Sequence, residues 1–508
     1  MAVIDTSTVS TATAYSNQRK VDRCQNGVLW SFFNNGSGVV EPWYSEDDGV
    51  TWTNGGANFS TNNASYTPNF SVFIDLDDYC HVVYKNGNSG YIEYRRGTPN
   101  AGRTAWTWTS AHEVFGHASF NYPDLVAHRE GSGWAVHLAA GYVTTGYAQM
   151  YGHRFDIDSG GTITPVSLGV ITNNYNSGVQ LFPSIDFNHT GDGKTVAGST
   201  PHIYMAWSAG ATGTGNGVRF KKATYSGGSW TWGTEREIDS TRYFPFSNRN
   251  AVCLFDGTRV IIAGHVYDAS GNDDIVLYER DVADTTTTTR ILLDNANSNQ
   301  WHLVGSYTYD GEGNVYYFGV NNGELIYRKW VRATTTFEAE VIIDSTNISN
   351  SAAWVSTKRG HSSNRIEYIY TDGVSSPYNI TYGSILLNTA PTTPTILTPI
   401  VNERVHHNSI DFSWSFNDPD GGDSQSAYAL RRQLDGGSEE WWDGSTWVGS
   451  EVFVSTASTT VSIHSDTFES GTYSWSVVTQ DQAGATSGYS IPQNLKIIRF
   501  ERWGAVQI

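Results

Sequence analysis

The sequence predicts an all-β protein, with a seven-bladed β-propeller over residues 1–388 and a smaller β-sandwich over residues 395–495. Three observations carry this reading. The 508 residues include 51 Gly, 29 Tyr, 21 Phe and 18 Trp against 3 Met and 14 Pro, a composition of strands and glycine turns. Apolar residues alternate with a period of two, and no long stripe of helical period interrupts them. A unit of two short strands around a Gly/Asn/Asp turn recurs along most of the chain.

The leading strand of that unit occupies residues 28–30, 81–84, 135–138, 202–205, 260–262, 314–317 and 365–368. Its partner follows at 91–95, 149–151, 218–220, 275–278, 325–328 and 379–382. Successive leading strands are about 56 residues apart. That length accommodates four short strands, which is one propeller blade, and seven units give a closed propeller. An array of β-sandwiches is the alternative, and the even spacing disfavours it.

Within the first unit, Ser45-Glu46-Asp47-Asp48-Gly49-Val50-Thr51-Trp52 follows the pattern S-x-D-x-G-x-T-W. The Asp can bond turn amides, the Gly permits a left-handed backbone, and the Trp can pack between sheets. This segment resembles the Asp box of sialidase-like propellers. The resemblance implies a folding device on an outer hairpin, in which Ser45, Asp47, Gly49 and Trp52 are structural and Asp47 is not catalytic. One clean copy is present.

After Asn388, residues 389–394 (T-A-P-T-T-P) read as a short stiff linker. Alternating strands follow at 410–416, 427–431, 451–454 and 471–478. An early strand Trp and a late strand Tyr in about a hundred residues fit an immunoglobulin-like sandwich. The segment resembles a fibronectin type III domain, which implies core positions for Trp414 and Tyr473. Residues 496–508 form a tail too short to fold alone.

Charge narrows the function. Lys and Arg number 31 against 50 Asp and Glu, giving a net charge of −19. The basic residues are scattered, so the stripe expected of a nucleic-acid binder is missing and anionic membranes are poor partners. No membrane span is read. The polar N-terminus lacks the basic and apolar regions of an export signal, so synthesis in the cytosol is expected. Cys24, Cys80 and Cys253 are too few and too widely spaced for a disulfide framework or a zinc knuckle, and read as buried thiols.

No cofactor or metal is expected. Asp418-x-Asp420-x-x-Asp423 has calcium-like spacing without the completing Glu, and reads as a surface turn. The glycine-rich stretch from Gly210 to Gly217 lacks the Gly-Lys-Ser/Thr of a phosphate loop.

Two resemblances bear on function. Residues 416–432 (F-N-D-P-D-G-G-D-S-Q-S-A-Y-A-L-R-R) look like the fibronectin-type domain of minor tail proteins from phages of actinobacteria. Residues 90–96 (G-Y-I-E-Y-R-R) and Tyr122-Pro123 are similar to the BNR-repeat group, which includes sialidase-like and polysaccharide-lyase-like proteins. Together they imply a virion tail component, made in the host cytoplasm and homo-oligomeric at the tail tip. Its implied partners are other tail proteins and a host cell-envelope glycan.

Loops ahead of five strands could reach one propeller face near the axis. They hold Tyr66, Asn121 and Tyr122, Phe182, Arg249, and Trp301 and His302. Rings stack on the C–H faces of sugars while Asn, Arg and His bond hydroxyls, so these seven residues are the candidate glycan site. The competing fate of each ring is packing between blades.

If the protein is an enzyme, a polysaccharide lyase needs a Tyr or His base and a cation on the uronate, and His117, Tyr122, Arg249 and His265 could supply them. A sialidase would need an arginine clamp, for which Arg19 and Arg23 are available, but no Arg-Ile-Pro motif precedes the first blade. Asp75, Asp77 and Asp78 could serve a hydrolase but read first as a turn. The expected function is therefore non-catalytic binding of a cell-wall glycan. The alternatives are a glycan-degrading tail enzyme and a purely structural tail spacer.

Overall fold

The computed structural model describes residues 1–15, 18–56, 58–60, 69–172, 175–176, 180–190, 194–196, 198, 200–210, 217–226, 229–239, 252–267, 273–284, 289–295, 306–310, 313–321, 323–345, 348, 354–358, 365–388, 390–400, 403–405, 409–419, 424–482 and 484–498. These residues form β-strands and a single 3-10 turn, Ser465–Thr467, with no α-helix among them. The chain divides into two compact units, Met1–Ile385 and Leu386–Ile508.

Among the described residues, the first unit contains seven antiparallel sheets of four or five strands. Six are built from consecutive strands. The third, for example, runs Phe120–Glu130, Gly133–Val143, Tyr147–Ile157 and Ile163–Val170 in sheet order. In the seventh, the N-terminal strand Ala2–Ser7 pairs with Tyr378–Leu386 beside Arg365–Asp372 and Val355–Thr357. Apolar clusters join neighbouring sheets. One packs Trp30 and Phe32 of the first sheet against Val72, Val82 and Tyr84 of the second.

The recurring strand pair in the sequence is the middle pair of each sheet. Residues 81–84 and all but the first of 91–95 fall in the second and third strands of the second sheet, Cys80–Lys85 and Ile92–Pro99. The strand ahead of them, Phe70–Ile74, is the first. First strands escape a search for apolar runs because polar side chains interrupt them for a physical reason.

Among the described residues neighbouring sheets share no backbone ladder, and apart from single bonds such as Val72 N to Arg19 O at 2.9 Å their first strands are tied by side chains. Asp22 accepts from Ile74 N at 2.8 Å, Asp124 from Ile185 N at 3.0 Å, and Asp186 from Phe255 N at 2.9 Å. Each carboxylate thus caps a strand of the following or next described sheet. Ser71 donates to Asp124 at 2.7 Å, Thr308 to the Lys358 carbonyl at 2.7 Å, and Ser356 to the Gln18 carbonyl at 3.3 Å. Hydrogen bonds to a charged group contribute about 1.5–3 kcal/mol each. Arg19 bonds the carbonyls of Leu125 and Ile185 and the carboxylate of Asp186, and is itself buried. Lys20 is fully buried with Gln18 and the Phe70 carbonyl, and burial holds its amine far below the usual lysine range.

The second unit packs a three-stranded sheet (Ile396–Thr398, Ser409–Trp414 and Thr460–His464) and a larger sheet centred on Gln425–Leu434 and Gly471–Asp481. Ile410, Phe412, Trp414, Leu430, Tyr473 and Trp475 meet in its core. The Tyr473 hydroxyl accepts from Glu469 N at 2.9 Å, a bond back to the upstream backbone of the kind that marks a tyrosine corner.

Candidate functional site

The strands of the third and fourth sheets that carry Asn121, Tyr122 and Phe182 begin on the same side of the first unit. Pairing of Phe120–Glu130 with Gly133–Val143 shifts register between Asn121 and Asp124, and Tyr122 within that bulge has a φ of 56°. A bulky residue in the left-handed region costs energy, and the surrounding packing must hold it there. The Tyr122 ring lies 3.9 Å from Phe182 and 5.0 Å from Tyr15, centroid to centroid. Tyr15 also meets Trp354 at 5.5 Å.

Three rings of this plate are buried and the fourth, Tyr122, is half-buried. Tyr15 is 4% exposed, Phe182 1% and Trp354 3%. The Tyr122 hydroxyl is hydrogen-bonded with Tyr15, and burial together with that phenol pushes its pKa well above the tyrosine range. A proton-abstracting phenolate needs the opposite shift. Phe182 therefore packs between neighbouring sheets, and half-buried Tyr122 packs on it and on Tyr15.

Beside the plate stands a second aromatic group that is open to solvent. The hairpin of Gly133–Val143 and Tyr147–Ile157 has 11 residues per strand, against 6 in Cys80–Lys85 of the second sheet. Its tip turns through Thr144–Gly146, closed by Thr144 N donating to Tyr147 O at 2.9 Å. The longer strands carry Tyr142, Tyr147 and Tyr151 on this hairpin. Tyr142 lies 6.0 Å from Tyr147, 5.5 Å from Tyr151 and 5.3 Å from His117. His117 is exposed, Tyr147 is 37% exposed, and Tyr142 and Tyr151 are half-buried.

Polar groups border this tyrosine wall. His117 Nδ1 accepts from Ser119 N at 3.1 Å, which leaves the proton of the neutral ring on Nε2, a donor. Lys85 Nζ donates to Asn121 Oδ1 at 2.7 Å and to Ala118 O at 3.0 Å. The Tyr151 hydroxyl donates to Gln149 Oε1 at 3.3 Å. Gly90 lets the second sheet come this close, since a Cβ there would sit 2.9 Å from that of Ala118. Half-exposed rings with convergent amide, imidazole and ammonium groups can stack on a sugar and bond its hydroxyls.

The wall unites two sequence-predicted residues, His117 and Asn121, with Lys85, Tyr142, Tyr147 and Tyr151, which sequence reasoning missed. Their available signal was three tyrosines bracketing a T-T-G turn. Tyr66, Arg249, Trp301 and His302 lie outside the described residues. His265 lies in Val260–Tyr267 opposite Ile275, with its side chain outside the description.

The remaining charged candidates are engaged structurally. Asp75 is buried, accepts from Asp77 N and Tyr79 N at 2.9 Å, and contacts His81 Nε2 at 3.0 Å. Asp77 pairs with Arg129, and Asp78 with Arg103 at 2.7 Å. Arg23 is held by Glu367 and by Asp48, the latter at 2.8 Å, so neither it nor Arg19 stands open to a ligand carboxylate.

In the Asp-box segment, Asp47 takes Thr51 N at 2.8 Å and Thr51 Oγ1 at 2.6 Å, while Ser45 Oγ donates to it at 2.8 Å. These bonds pull its pKa down to about 2. Gly49, at φ 87°, lies against Tyr382, where a Cβ would meet the ring at 2.0 Å, and Trp52 packs on that ring at 5.3 Å. Two further outer turns repeat the bond. Asn100 Oδ1 accepts from Thr104 N and Asp158 Oδ1 from Thr162 N, both at 2.8 Å. All three read [DN]-x-G-x-T, so copies without the flanking Ser and Trp are present in the second and third sheets.

Of the calcium-like run, Asp420 and Asp423 lie outside the described residues. Among the described residues no group of three or more His, Cys, Asp or Glu could hold a metal, and no helix is long and apolar enough to cross a membrane.

No curated protein matches the chain in sequence. Solved structures similar to it include polysaccharide lyase Uly1, at 8% identity and TM-score 0.43 over 76% of this chain and 97% of that one. A fucose-specific lectin from Aleuria aurantia aligns at 14% identity and TM-score 0.39 over 63% and 96%. An exo-β-1,3-galactanase from Phanerochaete chrysosporium aligns at 10% identity and TM-score 0.30 over 97% and 99%. Residues 402–497 match the family model described as the Rha78A-like, N-terminal immunoglobulin domain, so the second unit is immunoglobulin-like.

Proposed function

We propose that the protein binds a carbohydrate through the tyrosine wall of its third sheet, without transforming it. The observation that carries this reading is the placement of Tyr142, Tyr147 and Tyr151 with His117, partly exposed, on a hairpin longer than its counterpart in the second sheet. Each ring offers a face for a sugar, and the bordering Asn121, Gln149 and Lys85 offer hydroxyl partners. Binding is favoured over proton abstraction because the Tyr122 hydroxyl is tied to Tyr15 and its pKa is raised.

The scaffold in this reading is a closed seven-bladed propeller. The pairing of Ala2–Ser7 with Tyr378–Leu386 supports it, as do the side-chain ties that pass between successive first strands. The setting is a phage virion tail, by the resemblance carried in residues 416–432, where several copies would multiply a weak single-site affinity.

The test is co-sedimentation with purified actinobacterial cell walls, with release of soluble sugar and unsaturated product followed in the same samples. Binding without release, weakened in the Tyr142→Ala/Tyr147→Ala double variant, is the expected result. Release of product would make the protein an enzyme, and neither binding nor release would favour a structural spacer.

A further inference from the structure

The tyrosine wall contains one group that its own surroundings leave electrically uncompensated. Lys85 closes the strand Cys80–Lys85 of the second sheet and reaches across to the bulge loop of the third. Both of its acceptors, Asn121 Oδ1 and Ala118 O, are neutral. Among the described residues no carboxylate lies within ion-pair distance of it. The nearest acid along its own hairpin, Glu93, is taken by the Tyr84 hydroxyl at 2.7 Å and Asn86 Nδ2 at 2.8 Å.

Several other cations of the first unit are ion-paired. Lys194 meets Asp22 at 3.3 Å, Arg219 meets Glu237 at 2.8 Å, and Arg103 meets Asp78 at 2.7 Å. Burial alone depresses the Lys85 amine, with no neighbouring charge offsetting it. In a chain of net charge −19, a half-buried ammonium bonded only to neutral oxygens carries an uncompensated charge that a bound anion would relieve.

We infer that the wall selects an acidic glycan, with the carboxylate or phosphate of the sugar chain seated on Lys85 and an adjacent ring stacked on Tyr142. This rests on the carbohydrate-binding reading above and adds the charge class of the ligand.

Affinity electrophoresis of the full chain in gels containing polygalacturonate, the same polymer after carboxyl reduction, or poly(glycerol phosphate) tests it. We expect retardation by at least one acidic polymer with an apparent Kd at least tenfold below that for the reduced polymer. Added salt should erase the difference. Lys85→Met, which keeps the stem, should abolish that preference by bringing the Kd for the acidic polymer to that for the reduced one, and Lys85→Arg should retain it. Equal binding of acidic and reduced polymers, or a preference that survives Lys85→Met, would overturn the charge assignment and leave carbohydrate binding standing. Should none of the polymers retard the wild-type chain, both readings fail.

Discussion

Two aromatic clusters on one side of the first unit use the same residue types to opposite ends. The plate of Tyr15, Tyr122, Phe182 and Trp354 has three buried rings and only Tyr122 half-buried, whereas the wall of Tyr142, Tyr147 and Tyr151 keeps part of each ring in water. A ring sealed on both faces contributes its area to folding and has none left for a ligand. A ring with one free face gives up some stability and keeps a surface for a sugar. Position in the sheet makes the difference: the plate sits where first strands begin, and the wall on the hairpin between the second and third strands.

The comparison breaks most visibly at Phe182. Phe182→Ala should cost about 3–5 kcal/mol of stability, read by chemical denaturation, while glycan retention of the folded fraction stays unchanged. A loss of retention without a loss of stability would move the site from the wall to the plate.

Acid should act next, on the buried side of the same sheet. His128 and His137 stack at 5.4 Å under Trp230, and the Nε2 atom of each is buried without a partner. Burial, with Arg154 nearby, holds His128 at about 4 and His137 well below its usual value. The unfolded chain takes up these protons near pH 6.5 and the folded one does not, so stability is full above about 6.5 and falls as the pH drops toward 4. Tm measured across that window should decline, and His128→Gln should flatten part of the slope.

At the wall, Tyr142→Ala should weaken glycan binding about fivefold, or about 1 kcal/mol, with Tm nearly unchanged. Titration of the variant against carbohydrate checks it, and a fall in Tm comparable to that of Phe182→Ala would erase the distinction between the clusters.

The smallest effects are expected at two exposed turns, one in each unit. Asp47 and Asp443 each hold a Thr and a Ser, and the same hydrogen bonds lower both to about 2. Asp47→Ala and Asp443→Ala should each lower Tm slightly above pH 4. The differences should vanish as the pH falls toward 2, because a depressed carboxylate loses its stabilising charge there.

How much of this was legible depended on where the information lies. The repeat could be read because the middle strands of each sheet are long, apolar and joined by Gly/Asn/Asp turns. The first strands were harder, since Asp22, Asp124 and Asp186 interrupt them to bond amides of another sheet. The Ser-x-Asp-x-Gly-x-Thr-Trp turn was visible in full, whereas its reduced copies at Asn100 and Asp158 became recognisable only once Thr104 and Thr162 were seen closing the same bond. Among the candidate glycan residues, ring chemistry marked Tyr122 and Phe182 as well as it would mark any binding aromatic.

The sequence by itself determined the strand-rich architecture, the repeat, the immunoglobulin-like second unit and the outer turn at Asp47, because each depends on local period or spacing. Tertiary structure decided which rings are sealed, that Lys85 reaches Asn121 across two sheets, and that three tyrosines around a hairpin share one surface. Those properties depend on position in the sheet and on contacts between residues distant in the chain, and residue type alone does not encode the face a ring leaves open.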